Sequence, residues 1–197
     1  MQPIGYRIIQ DEHRSLAAVL DAMLAVLREL RGSGAQPDFR LFRAMVYYID
    51  AYPEKLHHPK EEQFLFERLR KRTHDADQVL GELGKQHASG ASLIRRLEQA
   101  LLRWEENAPD GQMRFEQAAE EFAGFYRAHM KSEETSVLPL ALKVLTPEDW
   151  QAIDVAFKEN GDPLRDTGAA RDFSELFTRI VNLAPAPIGL GPALSRH

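Results

Sequence analysis

Apolar residues return at steps of three and four along most of the chain, the period of helices that bury one face. From Tyr6 to Arg31 the repeating positions are His13, Leu16, Leu20, Leu24 and Leu27, and Gly32-Ser-Gly-Ala-Gln-Pro37 then ends the pattern. A second helix is expected from Asp38, a suitable N-cap, through Phe42, Val46 and Ile49 to about Arg72. Pro53 and Pro59 fall inside it and predict a kink or local break. The third runs from about Asp75 to Glu106 with Leu80, Leu83, His87, Ile94, Leu97 and Leu101 on one side. After the turn Asn107-Ala-Pro-Asp-Gly111, the fourth spans about Gln112 to Val144 and aligns Phe115, Phe122, Tyr126, His129, Glu133 and Leu140. No run of five or more positions alternates β-branched and polar residues as a strand would.

Four amphipathic helices with short, turn-rich connections predict an all-α fold, an antiparallel up-and-down four-helix bundle over residues 1–145. Residues 146–197 read as a C-terminal extension. Thr146-Pro147-Glu148-Asp149 is a good helix start, giving a short helix to about Lys158. Another short helix is expected from Ala169 to Val181, followed by an apolar Pro/Gly-rich tail from Asn182 to Pro192 that cannot be regular structure.

Composition narrows the chemistry. Of 197 residues, 44% are apolar and 28% charged, which is a globular composition. Lys and Arg total 25 against 30 for Asp and Glu, a formal charge of −5 that argues against sequence-independent nucleic-acid binding. No window reaches the roughly 18 continuous apolar residues of a membrane span, and Met1 to Gln10 lacks a secretory h-region, so a cytoplasmic location is expected. Cysteine is absent, which removes disulfides, thiolate nucleophiles, iron–sulfur clusters and Cys-type zinc sites. Any metal must be held by His and carboxylate.

Two His-x-x-x-Glu pairs, His57…Glu61 and His129…Glu133, each share one helix face. Two single histidines, His13 and His87, occupy seam positions on the first and third helices. The order repeats: His13 to His57 is 44 residues and His87 to His129 is 42, and each pair is followed by a second acid, Glu62 or Glu134. Each piece alone reads as an ordinary core histidine or a helical hydrogen-bonded pair. Together they predict four imidazoles and two carboxylates converging at the centre of a pseudo-two-fold bundle. Burying two ionised carboxylates without counter-charge costs several kcal/mol each, and no Lys or Arg lies on the seams, so a metal centre is expected. Six ligands suit two ions, iron before manganese or zinc, because a carboxylate-bridged pair with open positions favours iron redox chemistry. Two ferric ions exceed the charge of two carboxylates, which calls for an oxo or hydroxo bridge. A ferritin-like site would need two Glu-x-x-His motifs, and only Glu54…His57 is present.

At these residues the chain resembles the hemerythrin-like, or HHE cation-binding, family. The resemblance rests on Asp11-Glu-His13-Arg14, His57-His-Pro-Lys-Glu61-Glu62, Gly84-Lys-Gln-His87 and His129-Met-Lys-Ser-Glu133-Glu134, and covers about residues 4 to 145. It implies a non-haem di-iron centre in a four-helix bundle. Oxygen-carrying hemerythrins place two histidines on the third helix and an Asp on the fourth; here Leu83 and Ala91 flank His87, and the fourth helix offers Glu133. The four-His, two-Glu set is similar to that of bacterial proteins associated with repair of iron centres after nitrosative stress, and to the iron- and oxygen-sensing domain of a ubiquitin-ligase subunit. The extension looks like those of bacterial family members.

The missing fifth histidine implies a free position on one iron for O2, NO or peroxide. Tyr126, one turn before His129, is either a support for the ligands or an ordinary boundary tyrosine. His58 is expected to be exposed or behind the ligands, Glu62 and Glu134 to face away, and His74 and His197 to be solvated. Two other functions compete with small-ligand chemistry. One is a non-catalytic sensor or iron reservoir acting through partner binding; the other is a structural bundle with adventitious zinc. The family's range from monomers upward leaves a homo-oligomer open.

Overall fold

The computed structural model describes residues 2–33, 35–159 and 180. The expected helix Ala169–Val181 and the tail beyond it lie outside these, apart from Ile180, which is helical and buried. The described chain is all-helical. Helix α1 is Ile4–Ser33. Helix α2 starts at Phe39, where the Asp38 carboxylate accepts the Arg40 backbone N–H at 3.0 Å, and continues to Arg72. Helix α3 is Asp77–Glu105, α4 starts at Gly111 and continues to Val144, and α5 is Pro147–Lys158. The last is closed at its start by a reciprocal box in which Thr146 and Asp149 each bond the other's backbone N–H. The turn before α4 holds Asn107 at a φ of 58°, a left-handed conformation that Asn tolerates.

Of the kink or local break expected at Pro53 and Pro59, the break does not occur, since the chain stays helical throughout. Proline has no N–H to donate, and its ring crowds the carbonyl four residues back. The chain widens instead: Asp50–His57 and Glu61–Phe66 are π-helical, on either side of the α-helical His58–Lys60. The His58 N–H reaches the Pro53 carbonyl and the Glu67 N–H the Glu62 carbonyl, each five residues back. Helix α4 does the same at Glu133–Val137, which ends two residues before Pro139. Such turns interrupt helices chiefly at functional sites; here they lie where the His-x-x-x-Glu pairs do.

Arg31 of α1 bonds Glu116 near the start of α4, while His13 meets Glu134 at 3.0 Å near its end. Arg43 of α2 pairs with Glu105 at the end of α3 at 2.7 Å, and Glu62 meets His87 at 3.2 Å. The interior has two apolar clusters. One gathers Leu20, Met23, Phe42, Ile49, Phe115 and Phe122; the other gathers Ile9, Phe66, Leu80, Leu83, Val137 and Leu138. Between them runs a polar layer: His13 follows Ile9, His87 lies between Leu83 and Ile94, and His129 between Phe122 and Val137.

Helix α5 closes the second cluster. Trp150 packs edge-on against Tyr6, and Ile153 and Phe157 are buried. Asp154 Oδ1 accepts the Gly5 N–H at 2.6 Å. Gly5 is required by this approach, because a Cβ there would lie 2.8 Å from the Ile153 side chain. No helix among the described residues is long and apolar enough to cross a membrane.

Candidate metal centre

The structure brings all six sequence-derived residues together. Glu61 and Glu133 are completely buried, and His13, His57 and His129 nearly so. Each carboxylate divides its two oxygens between two groups of imidazoles. Glu61 Oε1 lies 3.3 Å from His57 Nε2 and 3.9 Å from His13 Nε2, while its Oε2 lies 3.6 Å from His87 Nε2. Glu133 Oε2 lies 3.2 Å from His13 Nε2, while its Oε1 lies 3.3 Å from His129 Nε2 and 3.7 Å from His87 Nε2. His87 Nε2 and His129 Nε2 are 3.1 Å apart. Donors at about 2.1 Å from one ion and at right angles to each other are separated by about 3 Å, so this spacing is that of adjacent ligands.

The inner atoms are also unsatisfied. Both oxygens of Glu61, both of Glu133, His13 Nε2 and His57 Nε2 are buried without a hydrogen-bond partner. Buried polar atoms are normally paired, and a group left bare costs about 1–3 kcal/mol, more when charged. Two sets of donor atoms lie within 4.8 Å of one another: His13, His57 and Glu61 in one, and His58, Glu61, His87 and His129 in the other. Glu61 belongs to both. The residues present therefore fit the binding of metal cations, with all donors nitrogen or oxygen.

The outer nitrogens are all engaged. His13 Nδ1 lies 3.0 Å from Glu134, His87 Nδ1 3.2 Å from Glu62, and His129 Nδ1 2.9 Å from Gln86, while His57 Nδ1 bonds Glu12. Glu12 in turn accepts the Tyr52 hydroxyl at 2.5 Å. A carboxylate or amide on Nδ1 fixes the ring and turns Nε2 inward, and it raises the basicity of a metal-binding imidazole. Glu62 and Glu134 do not face away, as expected from the sequence, but hold His87 and His13. Residues 12 and 86, each immediately before a single histidine, hold the histidine of the following helix. The repeated Glu-Glu and the polar residue before each single His were the signals for these four positions.

Charge within the cluster is set by the imidazoles, since every ion-pair contact of Glu61 and Glu133 is to a histidine. Burial disfavours a charged ring at His13, but the Glu133 and Glu134 carboxylates lift it to about 9. His57 is likewise buried and is held well above the usual histidine value by Glu61 and Glu12. Burial would push the Glu61 carboxyl up, yet the His57, His13 and His87 rings keep it below its ordinary value. On the other side, burial lowers His129 to about 4 against the pull of Glu133. Burial and the rings of His87, His57 and His129 take His58 well below its usual value.

His58 is the main departure from expectation. It is not exposed: it is buried, its ring stacked on His87 at 4.5 Å and set edge-on to His129 at 5.2 Å. A π-helical turn holds more residues than an α-helical one, so consecutive side chains are separated by a smaller angle and both His57 and His58 reach the interior. Tyr126 stacks on His58 and donates its hydroxyl to Glu54, so it supports the cluster indirectly. His74 is exposed beside Asp77, and His197 lies outside the described residues.

Neither a search of curated proteins nor one of solved structures finds a significant match. Residues 4–141 match the family described as Hemerythrin HHE cation binding domain, which spans α1 to α4 and all the clustered donors. Cation binding by this cluster is thus what both geometry and family imply, and the chain belongs to the hemerythrin HHE cation-binding domain family.

Proposed function

We propose that residues 1–145 form an antiparallel up-and-down four-helix bundle that holds two iron ions between His13, His57, Glu61, His87, His129 and Glu133. The proposed role is binding of, and reaction with, a small ligand such as O2, NO or peroxide. The observation that carries this reading is the division of each buried carboxylate between two imidazole groups, with none of its oxygens hydrogen-bonded. A single-ion site needs no such division. Iron suits the all-nitrogen-and-oxygen donor set with two shared carboxylates, and when bound it supplies a Lewis acid and a redox partner for a diatomic ligand.

The chain's own residues do the rest. Glu134, Glu12, Glu62 and Gln86 orient the rings, and the two apolar clusters exclude bulk water on either side. Beside His13, His57 and His58 lies a cavity of about 10 Å³ bounded by Leu16, Tyr52, Pro53 and Met130. That is about the space of one water, which limits any guest to a very small molecule. Metal content per chain, measured by plasma mass spectrometry on untagged protein from iron-supplemented medium, tests the reading. About two irons per chain is the expected result. Mostly zinc or manganese would keep the site and remove the redox role, and no stoichiometric metal would sink the proposal.

A second reading, a non-catalytic iron or oxygen sensor, is favoured by the way α5 meets the cluster. Phe157 packs edge-on against His57 at 5.9 Å, and Lys60 bonds the Ala156 carbonyl at 2.8 Å. The segment after the bundle therefore touches the ligand-bearing turn and is placed to report on it. Limited proteolysis of metal-free and iron-loaded protein separates the readings; an unchanged cleavage pattern in the extension argues against sensing.

A further inference from the structure

We propose that His58 is a fifth imidazole ligand, completing a three-imidazole face with His87 and His129 on one ion of the pair. The inference rests on the two-ion reading and adds to it a residue that has no counterpart in the other half of the site, where Met130 takes the equivalent place after His129.

Three observations carry it. The first is ring spacing. Imidazole nitrogens about 2.1 Å from an ion place ring centroids about 3.2 Å out, so rings at right angles around it are about 4.5 Å apart. His58, His87 and His129 are separated by 4.5, 4.7 and 5.2 Å. The His13 and His57 rings stand 5.1 Å apart. The second is orientation. His58 Nδ1 lies 3.8 Å from the Glu54 carboxylate, beyond hydrogen-bond reach but on the side where the other four rings bond Glu12, Glu62, Gln86 and Glu134, which leaves Nε2 for an ion. Glu54 is itself seated for this: its carboxylate accepts the Tyr126 hydroxyl and fills the space a side chain at Gly90 would need. The third is proximity. One ring nitrogen of His58 and donor atoms of Glu61, His87 and His129 all lie within 4.8 Å of one another.

With His58 included, the ion at His87 and His129 has five protein donors, counting Glu61 and Glu133, whereas the ion at His13 and His57 has four. The exchangeable position then falls on the ion with fewer protein donors, at His13 and His57, and not on the side where a missing third-helix histidine would have placed it.

Anaerobic Fe(II) titration of the full chain, with ions per chain and affinity read for each step, tests the assignment. Wild type is expected to take two ions. His58→Ala is expected to hold one as before and to bind the other at least tenfold more weakly, with the loss reversed by millimolar imidazole entering the vacated space. Two ions held as tightly as in wild type, or a weakening that imidazole does not reverse, would overturn the role of His58 and leave the two-ion reading standing. A wild-type chain that takes no stoichiometric ion overturns both. Should the variant fail to fold, proton NMR of Co(II)-loaded wild type decides: five shifted, exchangeable ring N–H signals support the assignment and four refute it.

Discussion

The two helix pairs, α1–α2 and α3–α4, build the same half-site with different supports. In both, a single histidine, a His-x-x-x-Glu pair and a following second acid occupy matching places, and each second acid crosses over to hold the other half's single histidine. The supports then diverge. His57 is backed by the carboxylate of Glu12, itself held by Tyr52, whereas His129 is backed by the amide of Gln86, and Gly124 stands where Tyr52 does. His58 answers to Met130, and Leu16 to Gly90. The first half is accordingly richer in negative charge: its His13 and His57 are held above the usual histidine value, whereas His129 of the second half is lowered by burial. A repeated ligand framework thus holds two positions that are electrostatically unequal, which is what a centre needs if its two ions are to behave differently.

The largest effect belongs to residues that erase the distinction. Because Glu61 and Glu133 each touch both halves, Glu61→Gln or Glu133→Gln is expected to weaken both ions together, by more than the 10–100-fold typical of outer partners. His13→Ala or His87→Ala should instead strip mainly one. Metal stoichiometry after gel filtration distinguishes them, and loss of a single ion from either Glu variant would show that the carboxylates are not shared.

Next come Leu16 and Gly90, each three residues after a single histidine. Leu16 is buried beside the small cavity, so Leu16→Ala should cost about 2–5 kcal/mol and widen the space next to His13. Gly90→Ala acts in the opposite sense. Its Cβ would overlap the Glu54 carboxylate and crowd the Tyr126 hydroxyl, for an expected cost of about 1–3 kcal/mol through overpacking. Denaturant titration of the metal-free variants measures both. A neutral Gly90→Ala would mean that Glu54 moves freely and does not pin His58.

Exchanging the supports should make the halves alike. Glu12→Gln is expected to weaken the ion at His13 and His57 by about 10–100-fold, and Gln86→Glu to tighten the ion at His87 and His129. Stepwise metal titration reads both. Equal affinities in wild type, or no response to either exchange, would remove the asymmetry.

Much of this was legible in the sequence. The helical period, the Asp38 and Thr146 caps and the repeated His and Glu spacing placed every helix described and brought six donors to one centre. What escaped has a common cause. His58 was expected to be exposed or behind the ligands on the assumption of α-helical geometry, and Pro53 and Pro59 to kink or break the helix. The chain instead absorbs the missing proline N–H in π-helical turns, which changes how side chains are distributed around the axis at the His-x-x-x-Glu pair. The outer partners escaped because acids beside a ligand on a helix look like solvent-facing charge until the neighbouring helix supplies the imidazole they hold.

The smallest effect, and the most direct probe of unequal halves, is the pH dependence of stability in the metal-free chain. His13 in the folded chain keeps its proton up to about 9, against 6.5 when unfolded. Its contribution is therefore complete below pH 6.5 and is lost as pH rises through about 9. His129 behaves in reverse: with a folded value of about 4, its contribution is present above 6.5 and is lost as pH falls through about 4. His57 adds to the alkaline limb and His58 to the acid limb. Stability should then peak near pH 6.5, with each group adding a slope of the order of 1 kcal/mol per pH unit. Replacing His13 with Gln should flatten the alkaline limb and spare the acid one, and bound ions, which require neutral rings, should shift the balance toward higher pH. Urea titrations at pH 4.5, 6.5 and 8.5 suffice. A chain equally stable at 6.5 and 8.5 would show that the first half carries no extra protons, leaving Glu12 and Gln86 to differ in name alone.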